Sequence, residues 1–234
     1  MVNNSMLTQR VPAAGIQKQG ERPLTLVAPR GENTMPYQYD VFISYRRSGN
    51  WPSWAKRHFL PVFAHWLGAE LGRNAVIFFD QEVETGVTWP LKLAGAIAKS
   101  RILVALLSKE YLGSEWCARE LAHMAAREDA CGFGTLNKPE GLIVPALIHD
   151  GENLPKTITK ITAADFKECS DPFMTEDSPT KERLSRSIRG WVPDVASAIR
   201  RAPKFDPAWQ QLSAASFYSA FLKTKARQLK PPRI

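Results

Sequence analysis

The chain has 234 residues, 44% hydrophobic and 23% charged, the balance of a globular protein with one core of ordinary size. Its longest apolar runs, residues 102–107 and 142–148, fall far short of the ~20 residues of a membrane span. The first twenty residues lack the apolar stretch of a secretory signal, so a cytoplasmic protein is expected. The net charge of +8 sits at one end: from Lys181 onward there are 12 Lys/Arg against 3 Asp/Glu, a net +9 that leaves residues 1–180 at −1. No aromatic residues interleave with the terminal LKTKARQLKPPRI, which argues against nucleic acid and for a solvated basic tail.

Residues 1–36 mix Pro, Gly, Gln and Asn without period and read as a flexible leader. The fold is expected to begin at Tyr37. Residues 39–45 are β-branched and aromatic and end in Arg46-Arg47-Ser48-Gly49-Asn50, a strand entering a loop. Over residues 54–71 apolar side chains recur at helical intervals, with Pro61 placed to kink or reset the helix. Residues 76–80 form a second short strand that opens into the loop 81–89, and Pro90 stands at a favourable first helical position. Leu91, Ala94, Ile97 and Ala98 are the expected buried stripe of that helix.

Residues 102–107, ILVALL, do not alternate, so a strand covered on both faces is expected. After a polar, glycine-containing loop, Ser114 sits where an N-cap belongs. In the helix that follows, Cys117, Leu121, Met124 and Ala125 share one side, with Arg119, His123 and Arg127 opposite. Trp116 and Glu120, four apart, fall on that polar side. A tryptophan and a carboxylate one turn apart, just past the C-terminal end of a buried strand, stand where open α/β sheets bind ligands. The alternative is a surface Glu paired with a nearby Arg and a Trp covering a hydrophobic edge.

Residues 142–148 read as another strand, and Pro145, which has no N–H to donate, places it near an edge or at a bulge. A short last strand is expected within residues 158–166. A final helix starts at Ser178-Pro179, buries Leu184, Ile188 and Trp191, and should be interrupted at Val192-Pro193 before Val195 and Ile199. Trp209, Leu212, Phe217, Phe221 and Leu222 would allow an extra helix, packed on the domain or on a partner. Strands alternating with helices imply right-handed crossovers and a parallel sheet of about five strands with helices on both faces, a flavodoxin-like α/β domain over residues 37–200 followed by a basic extension, 201–234. Cys117, Cys131 and Cys169 form no disulfide or metal pattern, and no spacing of His58, His65, His123 and His149 suits a metal.

Three blocks, YDVFISYRR, FFDQEVETGVTWPLKL and RILVALLSKEYLGSEWCAREL, in this order and at these distances resemble the TIR (Toll/interleukin-1 receptor) domain over residues 37–199. TIR domains of receptor adaptors serve as scaffolds, whereas those of bacterial defence proteins, plant immune receptors and the animal axon-degeneration enzyme cleave NAD. The cleaving members carry a Glu on the helix after the third strand, and the animal and several bacterial ones have a Trp four residues earlier; Trp116-Cys117-Ala118-Arg119-Glu120 matches that pattern. Tyr45-Arg46-Arg47 and residues 82–86 also look closer to the cleaving group. The resemblance thus implies Glu120 as the catalytic carboxylate and NAD+ as substrate, with no separate cofactor or metal. Trp116, Tyr45, Arg46, Arg47, Phe79, Asp80, Glu84 and Gly86 would bind the substrate. It further implies self-association through TIR–TIR contacts made by the loop after the second strand, a separate sensor or effector protein as partner, and a place in bacterial antiphage defence.

The chemistry is consistent with these residues. Nicotinamide leaves NAD+ from a bond whose leaving group is already cationic, so no general acid is needed; the demand is for a carboxylate beside a ribose that is turning cationic. Trp116 is suited to stack on nicotinamide, and Arg46 and Arg47 to meet the diphosphate or ribose hydroxyls, unless they are solvated loop cations. Gly86 would let its loop bend above a base shaped by Phe79, Asp80 and Glu84, although Asp80 also suits a loop cap. Two rivals stay open: a non-catalytic TIR adaptor, and a nucleoside deoxyribosyltransferase of related fold that also sets a Glu on an N-glycosidic bond.

Overall fold

The computed structural model describes residues 37–79, 89–150 and 162–211. The leader, the loop positions Asp80, Glu84 and Gly86, residues 158–161 of the last expected strand, and the hydrophobic positions from Leu212 onward lie outside the described residues.

The strands are β1 (Tyr39–Tyr45), β2 (Ile77–Phe78), β3 (Ser100–Leu107), β4 (Ile143–Leu147) and β5 (Ala164–Asp165). They form one all-parallel sheet in the order β2-β1-β3-β4-β5, the flavodoxin-like arrangement expected. The helices are α1 (Trp51–Trp54), α2 (Leu60–Leu71), α3 (Trp89–Ala98), α4 (Glu115–Cys131) and α5 (Pro179–Arg201). α2 packs on α5 and α3 packs on α4. Covered in this way, the unbroken apolar run from Ile102 to Leu107 is wholly buried. The chain steps from β1 outward to β2 and then back across to β3, so the strand order reverses between β1 and β3. Open α/β sheets hold ligands outside the carboxyl ends of two such strands.

Local chemistry explains the boundaries. Ser114 caps α4 by accepting from the Cys117 amide at 3.4 Å, and Ser178 caps α5 by accepting from Lys181 at 3.2 Å. α4 ends at Gly132, whose φ of 71° is the left-handed conformation that closes a helix. Pro61 does reset its helix. A π-helical turn, Ala55–Phe59, joins α1 to α2, with the Leu60 amide reaching back to the Ala55 carbonyl, so the ring of Pro61 enters a fresh first turn. β5 joins β4 only at Ala146 and Leu147, which leaves Pro145 just before that pairing begins, next to the sheet edge.

Several expectations need correction. The second strand spans two residues instead of five. The stripe of α3 runs through Leu93, Ala96, Ile97 and Ala98 while Ala94 is exposed: Leu93 and Ile97, four apart, turn toward the sheet and set a phase other than the expected one. α5 continues through Pro193 without a break. Pro193 lies on the exposed face, and burial of Trp191, Val192, Val195 and Ile199 on the other face offsets the ~3 kcal/mol an interior proline costs.

Arg127 departs furthest from its expected solvent-facing place, for it is 0% exposed. Its guanidinium donates to the carbonyls of Ile97 at 3.0 Å and Ala98 at 3.1 Å, capping the C-terminal end of α3, where carbonyls lack helical partners and the dipole favours a cation, and to the carbonyl of Ser100, the first residue of β3, at 2.6 Å. The Trp209 ring covers it at 4.4 Å. Trp209 in turn stacks on Tyr37, whose hydroxyl donates to the Pro203 carbonyl at 2.8 Å. Burial pushes Arg127 down to about 10 and the Tyr37 phenol up to about 12.

Candidate active site

The carboxyl ends of β1 and β3 lie side by side, with Tyr45 in register with Leu106. β3 is followed by a short 3-10 turn, Tyr111–Gly113, and the Ser114 cap then aims the first turns of α4 back over the end of β1. This brings Glu120 against Ser44: the Ser44 hydroxyl donates to Glu120 Oε2 at 2.5 Å. On its other side Ser44 Oγ lies 2.5 Å from the Tyr111 hydroxyl. The second carboxylate oxygen, Oε1, faces Arg47 at 3.9 Å.

Glu120 was expected on the polar side of α4 and is instead 7% exposed. The cause is that α4 packs against β1, where Ser44 meets Glu120 and the Tyr45 carbonyl meets Cys117. Cys117, one turn earlier, donates its thiol to the Tyr45 carbonyl at 3.4 Å. Burial first, and then the Glu120 charge, push that thiol up to about 12, so it remains a protonated donor and is no nucleophile. Burial likewise raises the Tyr111 phenol well above its ordinary value, with Cys117 and Glu120 adding to the rise, so its proton stays in place.

Of the residues expected in the site, Tyr45, Arg47, Phe79 and Glu120 come together. Tyr45 and Phe79 stack at 4.8 Å to form a wall, and the Arg47 guanidinium stands 5.9 Å above the Tyr45 ring. Trp116 lies one turn before Glu120, half-buried, with the Arg119 guanidinium over its indole at 5.1 Å. Arg119 also pairs with Glu115. Arg46 turns back to its own loop, donating from Nε to Ser48 Oγ at 3.0 Å, the loop-cation alternative. Ser44 and Tyr111 were missed by sequence reasoning, although Ser44 is the one serine of β1 and a buried hydroxyl needs a partner. Among the described residues no group of three or more His, Cys, Asp or Glu is placed to hold a metal ion. A groove of about 880 Å³ elsewhere, between α4, β4, β5 and α5, includes neither Glu120 nor Trp116 in its lining.

The fold and this corner define a class: an open parallel α/β protein with a carboxylate at its topological switch point. The TIR domain family model matches residues 41–176, more than half of the chain, and the chain belongs to that family. Among curated relatives it is 34% identical over 167 residues to the protein SUPPRESSOR OF npr1-1, CONSTITUTIVE 1 of Arabidopsis thaliana, covering 68% of this chain and 10% of that protein. It is 36% identical over 88 residues to the disease resistance protein RPP2A of the same plant, covering 37% of this chain and 6% of that one. The chain therefore spans about a tenth or less of the length of these relatives. Among solved structures, the TIR domains of the activated Roq1 resistosome directly recognizing the pathogen effector XopQ align at 20% identity and a TM-score of 0.35, over 79% of this chain and 98% of that one.

Proposed function

We propose that this TIR domain is an NAD+ nucleosidase, a hydrolase of N-glycosyl bonds that releases nicotinamide and leaves ADP-ribose or a cyclised form of it. The observation that supports the reading most is the Glu120 carboxylate, tied by one oxygen to Ser44 at the switch point between β1 and β3. As the C1′–nicotinamide bond lengthens, its electron pair leaves with the pyridine nitrogen, which becomes neutral, and positive charge spreads over the ribose. Glu120 would stabilise that charge by electrostatics or by transient attack on C1′, and water or an atom of the adenine ring would complete the reaction. Trp116 would hold the nicotinamide ring, Tyr45 and Phe79 would wall the pocket, and Arg47, beside Glu120, would meet a ribose hydroxyl or the diphosphate. Asp80, Glu84 and Gly86 keep the substrate-binding roles that the family resemblance implies. In this reading the pocket is completed by a second copy of the chain, and NAD+ depletion or a nucleotide signal serves immune defence.

A second reading, a non-catalytic docking module, is favoured by one observation: Glu120 is buried and engaged by Ser44 and Arg47. Chromatography of the products formed from NAD+ at high protein concentration separates the two. The nucleosidase releases nicotinamide together with ADP-ribose or its cyclic form, while the docking module releases none at any concentration. Transfer of deoxyribose from a deoxynucleoside to a free base would instead identify a deoxyribosyltransferase.

A further inference from the structure

Ser44 Oγ–H is a single proton lying between two oxygens, each at 2.5 Å. An ionised carboxylate only accepts, so Ser44 must donate to Glu120 Oε2. The remaining acceptor site on Ser44 then takes the proton of Tyr111, whose phenol is wholly buried. This gives a one-way donor chain, Tyr111 to Ser44 to Glu120, in which all three oxygens are satisfied. If the carboxyl carried a proton on Oε2 the chain would reverse, and the wholly buried Tyr111 hydroxyl would lose its acceptor. The chain is built from three separate elements: a strand residue, a loop tyrosine and a helix carboxylate. Each is fixed by its own packing, and Ser44 is held in register opposite Ala105.

We infer that Tyr111 and Ser44 are positioning residues: a two-hydroxyl relay that locks Glu120 in one rotamer by holding its Oε2. The relay's geometry stands by itself; its consequence for turnover rests on the nucleosidase reading. A hydroxyl that served only the core would matter equally whatever residue occupied position 120. A relay acting through Glu120 loses its effect once the carboxylate is gone.

The test uses the full-length chain and two readouts. The first is proton NMR. Hydroxyl protons held in buried hydrogen bonds exchange slowly with water and give signals of their own. Two are expected, one lost in Tyr111→Phe and the other shifted in Glu120→Gln; their absence from the wild type, or their insensitivity to both changes, overturns the relay whether or not NAD+ is cleaved. The second readout is steady-state NAD+ cleavage. Tyr111→Phe should lower kcat roughly tenfold with KM within about twofold, Ser44→Ala should lower it at least as far, and Ser44→Thr, which keeps the hydroxyl, should recover most of the rate. Tyr111→Phe in a Glu120→Gln background should cost nothing further. Thermal unfolding of each variant separates misfolding from mispositioning. A wild type whose cleavage depends on Glu120 but ignores Tyr111→Phe overturns the positioning role and leaves the nucleosidase reading intact. A wild type that cleaves nothing overturns the nucleosidase reading, and the hydroxyl signals still decide the relay.

Discussion

Replacing Arg127 by alanine should destabilise the domain by about 3 kcal/mol, and the number follows from what the guanidinium does. It makes three charge-assisted bonds, at 2.6, 3.0 and 3.1 Å, to the carbonyls of Ser100, Ile97 and Ala98. Bonds of this kind are worth roughly 1.5–3 kcal/mol each, and leaving a buried carbonyl without its donor costs about 1–3 kcal/mol. Burial already disfavours this cation, pushing it down to about 10, so its own desolvation offsets part of the gain and the low end of the range applies. At ~2–4 °C per kcal/mol for a domain of this size, Tm should fall by ~6–12 °C. Arg127→Lys keeps the charge but cannot span three carbonyls, and should fall in between. Urea unfolding followed by far-ultraviolet circular dichroism measures the difference directly. A loss below about 1 kcal/mol for Arg127→Ala would refute the argument, since it would mean that water replaces the guanidinium at the end of α3 at almost no cost.

Further expectations concern other parts of the fold. Asp40 is buried, which alone would raise its pKa, but the Arg73 fork at 2.6 and 2.7 Å, the Val76 amide and Arg101 outweigh burial and hold its carboxyl below the ordinary value. A depressed folded pKa stabilises above the unfolded value of about 3.9 and is lost as pH falls through the folded one, so the wild type should lose stability below about pH 4. Asp40→Asn should be less stable at pH 7 and show less of that acid-side loss in urea titrations at several pH values. Pro193→Ala, on the exposed face of α5, should raise stability by ~1–3 kcal/mol by restoring a helical amide; an unchanged urea midpoint would mean that the helix already compensates for the ring. Gly141→Ala would place a Cβ 2.5 Å from Glu128 Oε1, which accepts from the Leu142 and Ile143 amides. The displaced carboxylate should cost ~1–2 kcal/mol, seen as a lower Tm.

Much of this architecture can be read from local pattern. The unalternating run at residues 102–107 and the Ser114 cap each report on neighbours a few residues away, and both appear where expected. What escaped the sequence depends on distant partners. Arg127 looks like a surface residue until the end of α3 arrives to receive it, and Glu120 looks exposed until α4 packs against β1. Ser44 and Tyr111 are 67 residues apart, and no periodicity links them. Pro193 reads as a helix breaker because its local cost is visible in the sequence, whereas the burial that outweighs it comes from the sheet and α2. The loop carrying Asp80, Glu84 and Gly86 lies outside the described residues, so their placement rests on the family resemblance.

The central claim is that the Glu120 carboxylate stabilises a ribose that is becoming cationic. Its most direct test compares kcat for nicotinamide release from NAD+ by the wild type and by Glu120→Gln, which keeps the shape and removes the charge, at matched concentration and assembly. Loss of one preorganised electrostatic group typically costs ~10²–10³ in kcat, and a fall of that size with folding intact is the predicted result. Equal rates for the two proteins would contradict the account and remove Glu120 from the chemistry.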